Sequence, residues 1–134
     1  MVDRFGDAAW INGGSPTEGF LSFGLNTRWF FEGLYSSLAG QAWVDWIYMV
    51  SMAAIGIPLM LGVATRLAAA AGIVWMLMFY TASALWPANN PFLDDHIVYA
   101  IVLAGIAYVS AGRYLGLGRR WETLPVVERH PVLR

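Results

Sequence analysis

The chain has 134 residues, 58% of them apolar, 15% aromatic and 13% charged, with a formal net charge of −1 and a mean hydropathy of +0.54. A soluble domain carries about 25% charged residues, so there are too few charges here to cover a fold this apolar, and the missing solvent is lipid. The same arithmetic excludes a disordered chain and a basic nucleic-acid module, and no nucleic-acid partner is expected.

The chain contains no cysteine. Disulfide frameworks, iron–sulfur clusters, thiolate nucleophiles and cysteine zinc sites are therefore excluded, and any redox chemistry needs a borrowed cofactor or a partner chain. All eight cationic side chains are arginine. Met1 to Trp10 contains Asp3, Arg4 and Asp7 and no apolar run of the signal-peptide kind.

Residues 1–42 are expected to form an interfacial segment on the outer face. Ser15-Pro16-Thr17-Glu18 reads as a capping box, with Ser15 as N-cap and Pro16 at the first helical position, and predicts a short helix from Pro16 to about Phe23. Asn26 or Thr27 can cap a second helix through Arg28 to Leu38, stopped by Gly40, with Phe30 or Phe31, Leu34 and Leu38 on one face. Both are too short to cross a bilayer and suit its interface.

A three-helix transmembrane domain is expected over 43–112. A bilayer core takes roughly 20 helical residues, and three stretches are candidates: about Trp43 to Ala64, Leu67 to Trp86, and about Ile97 to Gly112. The first carries Asp45 in its opening turn and Pro58 inside, and Gly56, Pro58 and Gly62 are expected to bend or loosen it. The second holds no charge, and its Ala68 to Gly72 run offers a small-residue surface for close helix contact. The third has 16 residues and spans about 24 Å, so Asp95, His96 and Arg113 should lie at the interfaces. Thr65-Arg66 is expected to make the first turn, and the prolines of Pro87 to Pro91 forbid one continuous helix across the second.

Orientation follows from arginine placement: six, Arg66, Arg113, Arg119, Arg120, Arg129 and Arg134, against two, Arg4 and Arg28. The N-terminus and the Trp86 to His96 loop are thus expected outside and the 113–134 tail in the cytoplasm. Three spans in that orientation leave the outward N-terminal region without a helix to lead it across, so an upstream helix is expected to be missing or to be supplied by another polypeptide, unless a partner complex tolerates an N-out insertion.

The most polar constellation near the membrane is Asn89 to His96, ending in Tyr99. On a helix starting near Asp94, spacings of three and four residues place Asp95, His96 and Tyr99 on one face. A carboxylate, an imidazole and a phenol there can hydrogen-bond a quinone headgroup and exchange protons with it, which makes Asp95 and His96 the candidate catalytic residues and Trp86, His96 and Tyr99 the candidate contacts to a quinone or lipid. The bland alternative is an N-cap at Asp94, an acidic residue at the helix's positive end, and a tyrosine of the aromatic belt. No metal site is expected from Asp94, Asp95 and His96, whose ligands would be too compressed. Haem ligation within the chain is not expected, because this topology puts His96 and His130 a bilayer apart. Trp43, Trp46, Trp86 and Trp121 fall at interfacial levels, whereas Trp75 falls mid-span, either lining a cleft or packing between helices. Gly112 to Gly118 releases the chain from the third helix, and the arginines after it anchor the inner side.

Three segments, Ala9 to Leu21, Asn90-Pro91-Phe92-Leu93-Asp94-Asp95-His96 and Gly112-Arg113-Tyr114-Leu115-Gly116-Leu117-Gly118, resemble the DoxX/DoxD family of small bacterial and archaeal membrane proteins. The resemblance covers nearly the whole chain. It implies a four-helix membrane bundle, of which this sequence lacks the first helix, a cytoplasmic-membrane location, and, for some members, service as the membrane subunit of a thiosulfate:quinone oxidoreductase. It also implies that the Asp94 to His96 region matters.

The expected fold is therefore all-α, a polytopic membrane bundle of three transmembrane helices with short interfacial helices on the outer face. The expected function is that of a non-catalytic accessory subunit of a larger quinone-linked electron-transfer complex, packed against membrane lipids and other transmembrane subunits. No covalently bound cofactor is expected, with a quinone or a lipid as the noncovalent ligand. The alternative is the thiosulfate:quinone oxidoreductase subunit itself, and a transporter is disfavoured because no span carries a central charge.

Overall fold

A computed structural model of the chain describes residues 13–23, 32–84 and 94–133. Among these residues every regular element is helical. Two short helices, α1 (Glu18–Phe23) and α2 (Glu32–Ser37), precede three long ones: α3 (Ala42–Leu61), α4 (Thr65–Phe79), which continues as a π-helix over Tyr80–Ala84, and α5 (Asp95–Val109). The chain ends in α6 (Gly112–Leu115), α7 (Gly118–Glu122), α8 (Pro125–Arg129) and a 3-10 turn at Pro131–Leu133.

Two helices, Ala42–Leu61 and Thr65–Ala82, are long and apolar enough to cross a membrane. The third expected span is shorter than its apolar run: α5 has 15 residues and stops at Val109, not Gly112, because Ser110 turns left-handed at φ 51°. There the Ser110 and Ala111 N–H groups donate to the carbonyls of Ala107 and Ile106 at 3.3 and 3.2 Å, the paired bonds of a Schellman ending.

The α3–α4 turn also departs from expectation. It falls at Gly62–Ala64, and Thr65 and Arg66 already belong to α4. Gly62, at φ 71°, makes the left-handed residue of a second Schellman motif: its N–H reaches the Leu59 carbonyl at 3.3 Å, and the Val63 N–H reaches that of Pro58 at 3.0 Å. Pro58 is thus an interior residue of α3 whose carbonyl helps to end it.

The middle helix organises the three. Its most extensive interface is with α5, and α3 packs along it as well, whereas α3 and α5 share little among the described residues. Close approach to α5 rests on the small-residue surface: Ala68, Ala69 and Gly72 are buried, and a Cβ on Gly72 would meet Leu103 Cδ1 at 2.9 Å. Most of the large apolar surface points away from the molecule. Only 6% of the most apolar 18-residue stretch of α3 and 28% of the Thr65–Ala82 stretch is buried, and Trp43, Trp46, Val50, Ile57 and Met60 stand exposed along α3.

The glycines after α5 serve packing as well as release. Leu117 N–H donates to the Leu61 carbonyl at 2.8 Å, which brings the backbone of 112–118 against the α3–α4 turn. A Cβ on Gly116 would stand 2.6 Å from the Leu61 carbonyl oxygen, one on Gly118 2.6 Å from that of Gly112, and one on Gly62 2.9 Å from the Cα atoms of both Gly112 and Gly116. The rest of the C-terminal segment folds back: the 3-10 turn touches α4, Trp121 Nε1 donates to the Leu133 carbonyl at 2.7 Å, and Val127 is almost wholly buried.

Candidate functional site

At the other end of the long helices, α1 and α2 enclose a cavity of about 270 Å³ against α3, α4 and the start of α5. Its wall is aromatic. Phe79 is the hub, with ring centroids at 5.6 Å from Phe20, 6.3 Å from Tyr48, 5.5 Å from Trp75 and 5.8 Å from His96. Tyr48 and Trp75 meet edge to face at 5.6 Å. Pro16, Thr17 and Leu21 close the α1 side, Tyr35 and Leu38 the α2 side.

Each wall is fixed by a local device. Ser15 Oγ accepts the Glu18 N–H at 3.1 Å, the first half of the expected capping box. In place of the box's second half the structure shows a long-range bond: Ser15 Oγ donates to Asp45 Oδ1 at 2.9 Å. The same oxygen accepts the Thr17 N–H at 3.0 Å and the Thr17 hydroxyl at 2.6 Å. Asp45 is 5% exposed, and these three donors compensate the burial of its charge. On the α2 side the Thr81 hydroxyl donates to the Met78 carbonyl at 2.9 Å, so the Tyr35 hydroxyl is the donor in its 3.2 Å bond to Thr81 Oγ1. That bond ties α2 to the π-helical turn. A π-bulge widens a helix by one residue per turn and is frequent at functional sites.

His96 brings the one imidazole into this wall. Asp94 is the N-cap of α5, accepting the His96 N–H at 3.3 Å, and its carboxylate also bonds His96 Nδ1. Asp95 Oδ1 lies 3.2 Å from the same ring nitrogen. Partial burial pushes the Asp94 carboxyl up, but the His96 ring, the Asp95 side chain and the His96 backbone N–H together hold it below its ordinary range. With Nδ1 engaged by a carboxylate, Nε2 is the ring nitrogen left to hydrogen-bond a ligand. Neither Nε2 nor the Tyr48 hydroxyl has a hydrogen-bond partner among the described residues.

The candidates read from sequence separate in space. His96 lines the cavity, while Asp95, with its side chain 66% exposed, and Tyr99, 56% exposed, do not. Trp86 lies outside the described residues, as do Phe30, Phe31 and the Pro87 to Pro91 turn. On α2 the expected apolar face is rotated: Leu34 is 58% exposed, and Tyr35 and Leu38 face the cavity. Trp75 lines the cleft and packs against two other rings. Sequence reasoning missed Tyr48, Phe79, Tyr35 and the Asp45 clasp. The signal available for the first two was an aromatic ring interrupting aliphatic stretches of a long helix. The ligand atoms of Asp94, Asp95 and His96 lie within 4.8 Å of one another, yet they are consecutive residues bonded to each other at a capped helix start.

Compared with protein families, curated proteins and solved structures, the chain shows no match.

Proposed function

We propose that the chain is a membrane-embedded helical subunit of a quinone-linked electron-transfer assembly, with α3, α4 and α5 crossing the bilayer and the aromatic cavity receiving a quinone headgroup. The observation that carries this reading is the cavity itself: an apolar, ring-lined hollow whose polar atoms without a partner among the described residues are a phenol and an imidazole backed by carboxylates. A quinone headgroup is flat and neutral and presents carbonyl oxygens, so rings stack on its faces while Tyr48 and His96 reach its edge. Since the chain carries no cysteine and its two histidines are far apart, electrons come from a redox centre on a partner.

The uncovered apolar sides of α3 and α5 supply the second support. A core helix of a soluble protein is mostly buried, whereas these face outward over most of their length and need lipid or partner helices as cover. The arginine distribution favours an orientation with the cavity end outside and the glycine-rich end in the cytoplasm. The likeness of the sequence motifs to the DoxX/DoxD family agrees with a small membrane subunit of bacterial or archaeal type.

The test is purification in mild detergent through this chain, followed by mass spectrometry and a visible absorption spectrum. Stoichiometric membrane subunits with a cytochrome or pigment signature support the accessory role, and recovery of the chain alone rejects it. The imidazole in the cavity wall favours one second reading, the thiosulfate:quinone oxidoreductase subunit, for which quinone reduction would disappear in His96→Ala with assembly intact.

A further inference from the structure

The aromatic cavity is one of two hollows that share a wall. Beyond Trp75 lies a second hollow of about 430 Å³ between α3 and α4, with Trp75 in the lining of both. Along α3 the lining positions of the two hollows fall at 44, 48, 51, 54, 55 and 58, and along α4 at 82, 79, 78, 75, 74, 71, 68 and 67. Each position lies three or four residues from another in its series, which keeps the series on one helical face, so the hollows make one furrow along the α3–α4 seam. Its chemistry changes at Trp75. On the cavity side stand the Tyr48 hydroxyl and His96 Nε2, which have no hydrogen-bond partner among the described residues. On the other side the single hydroxyl, that of Ser51, already donates to the Tyr48 carbonyl at 2.9 Å, and small side chains such as Ala54 and Ala71 leave a trough between the helices.

We propose that this trough holds the apolar tail of the ligand whose headgroup lies in the cavity, so that the site takes a tailed quinone with Trp75 at the junction of ring and tail. The inference rests on the quinone reading above. Size argues for a chain as occupant: spread over the helix length from Trp75 to Ala64, the hollow of about 430 Å³ has a mean cross-section of about 26 Å². That suits an extended hydrocarbon laid along the seam. Continuity with the cavity argues for the tail of the same molecule.

The experiment uses the purified protein in lipid nanodiscs and two probes, a dimethoxy-methyl-benzoquinone without a tail and the same ring carrying a decyl tail. In the parent protein the tail strengthens binding at least about tenfold. Ala54→Leu, at an exposed position, fills the trough and removes about that same factor for the tailed probe, while leaving the tail-less probe unchanged; Ala71→Leu does the same from the α4 side. A tail effect that survives both variants overturns the proposal, because the gain then comes from partition into lipid. A phospholipid that co-purifies in the trough and resists the tailed probe overturns it too. Binding of the tailed probe alone, still sensitive to Ala54→Leu, keeps the trough and sinks the headgroup reading. Failure of both probes to bind sinks both.

Discussion

The Thr17 hydroxyl donates to Asp45 Oδ1 at 2.6 Å, and the Thr17 N–H reaches the same oxygen at 3.0 Å. Residues 28 positions apart in sequence thereby join the start of α1 to the first turn of α3, and the clasp positions Pro16, Thr17, Phe20 and Leu21 as one side of the cavity. Removing the carboxylate strands two buried donors. Asp45→Ala should therefore cost about 1.5–3 kcal/mol, the range for hydrogen bonds to a charged group, seen as a lower thermal midpoint in detergent. Asp45→Asn, which keeps one acceptor oxygen, should lose less, and equal losses for the two variants would show that the bonds are not what stabilises this end.

The glycine crossing makes a paired prediction. Gly116→Ala places a methyl 2.6 Å from the Leu61 carbonyl oxygen, and Gly62→Ala adds a positive φ of 71° to its 2.9 Å contacts. Each should destabilise by about 1–3 kcal/mol or more. A Cβ on Gly105 or Gly56 meets nothing within 4 Å, so Gly105→Ala and Gly56→Ala should be neutral or raise stability by up to about 1 kcal/mol. Thermal midpoints of the four variants in one detergent check the contrast, which fails if the two pairs behave alike.

A pH dependence follows from Asp94. Its carboxyl is held below the ordinary value of 3.8 in the folded protein, so between the folded and unfolded pKa the unfolded chain binds more protons. The stability this contributes is complete above the unfolded value and is lost as pH falls through the lower, folded one. Melting followed from about pH 6 down to about pH 3 should show an acid decline that is shallower in Asp94→Asn. An acid limb unchanged by the substitution would remove Asp94 as its source.

Ligand binding should separate residues that the sequence placed together. His96→Ala should weaken a tail-less benzoquinone by about tenfold, the equivalent of one hydrogen bond of about 1.4 kcal/mol. Tyr99→Phe should leave it unchanged, since Tyr99 faces away from the cavity. Equilibrium binding to the two variants decides, and a loss at Tyr99 matching that at His96 would place the ligand on the outside of α5.

Composition and apolar run length made the helical class legible, and local chemistry made the helix starts legible, because a cap is a contact between neighbours in sequence. Ser15 and Asp94 are examples: each accepts an N–H within three residues. What escaped was long-range. Nothing around Asp45 announces Ser15 and Thr17 as partners, and no local signal says that Gly112, Gly116 and Gly118 are small because Gly62 lies against them. Helix ends were misjudged for a related reason. Ala64 and Ser110 adopt left-handed backbone without being glycine, a conformation unfavourable for the residue type itself and, at Ser110, offset by the paired turn bonds to Ala107 and Ile106. At the site, the imidazole was legible from its charged neighbours, whereas the rings around it come from four separate elements and meet only on folding.

The crossing of Gly62 with Gly112 and Gly116 holds the α3–α4 turn, where these two helices join, against the segment that follows α5. Two rods pinned at one end can change their separation only by pivoting, and the pin is at the far end from the aromatic rings. Tyr48 lies 14 residues from Gly62 along α3, about 21 Å of lever arm. A swing of about three degrees about that turn would displace Tyr48 by about an ångström, enough to change the gap between Tyr48 and Trp75.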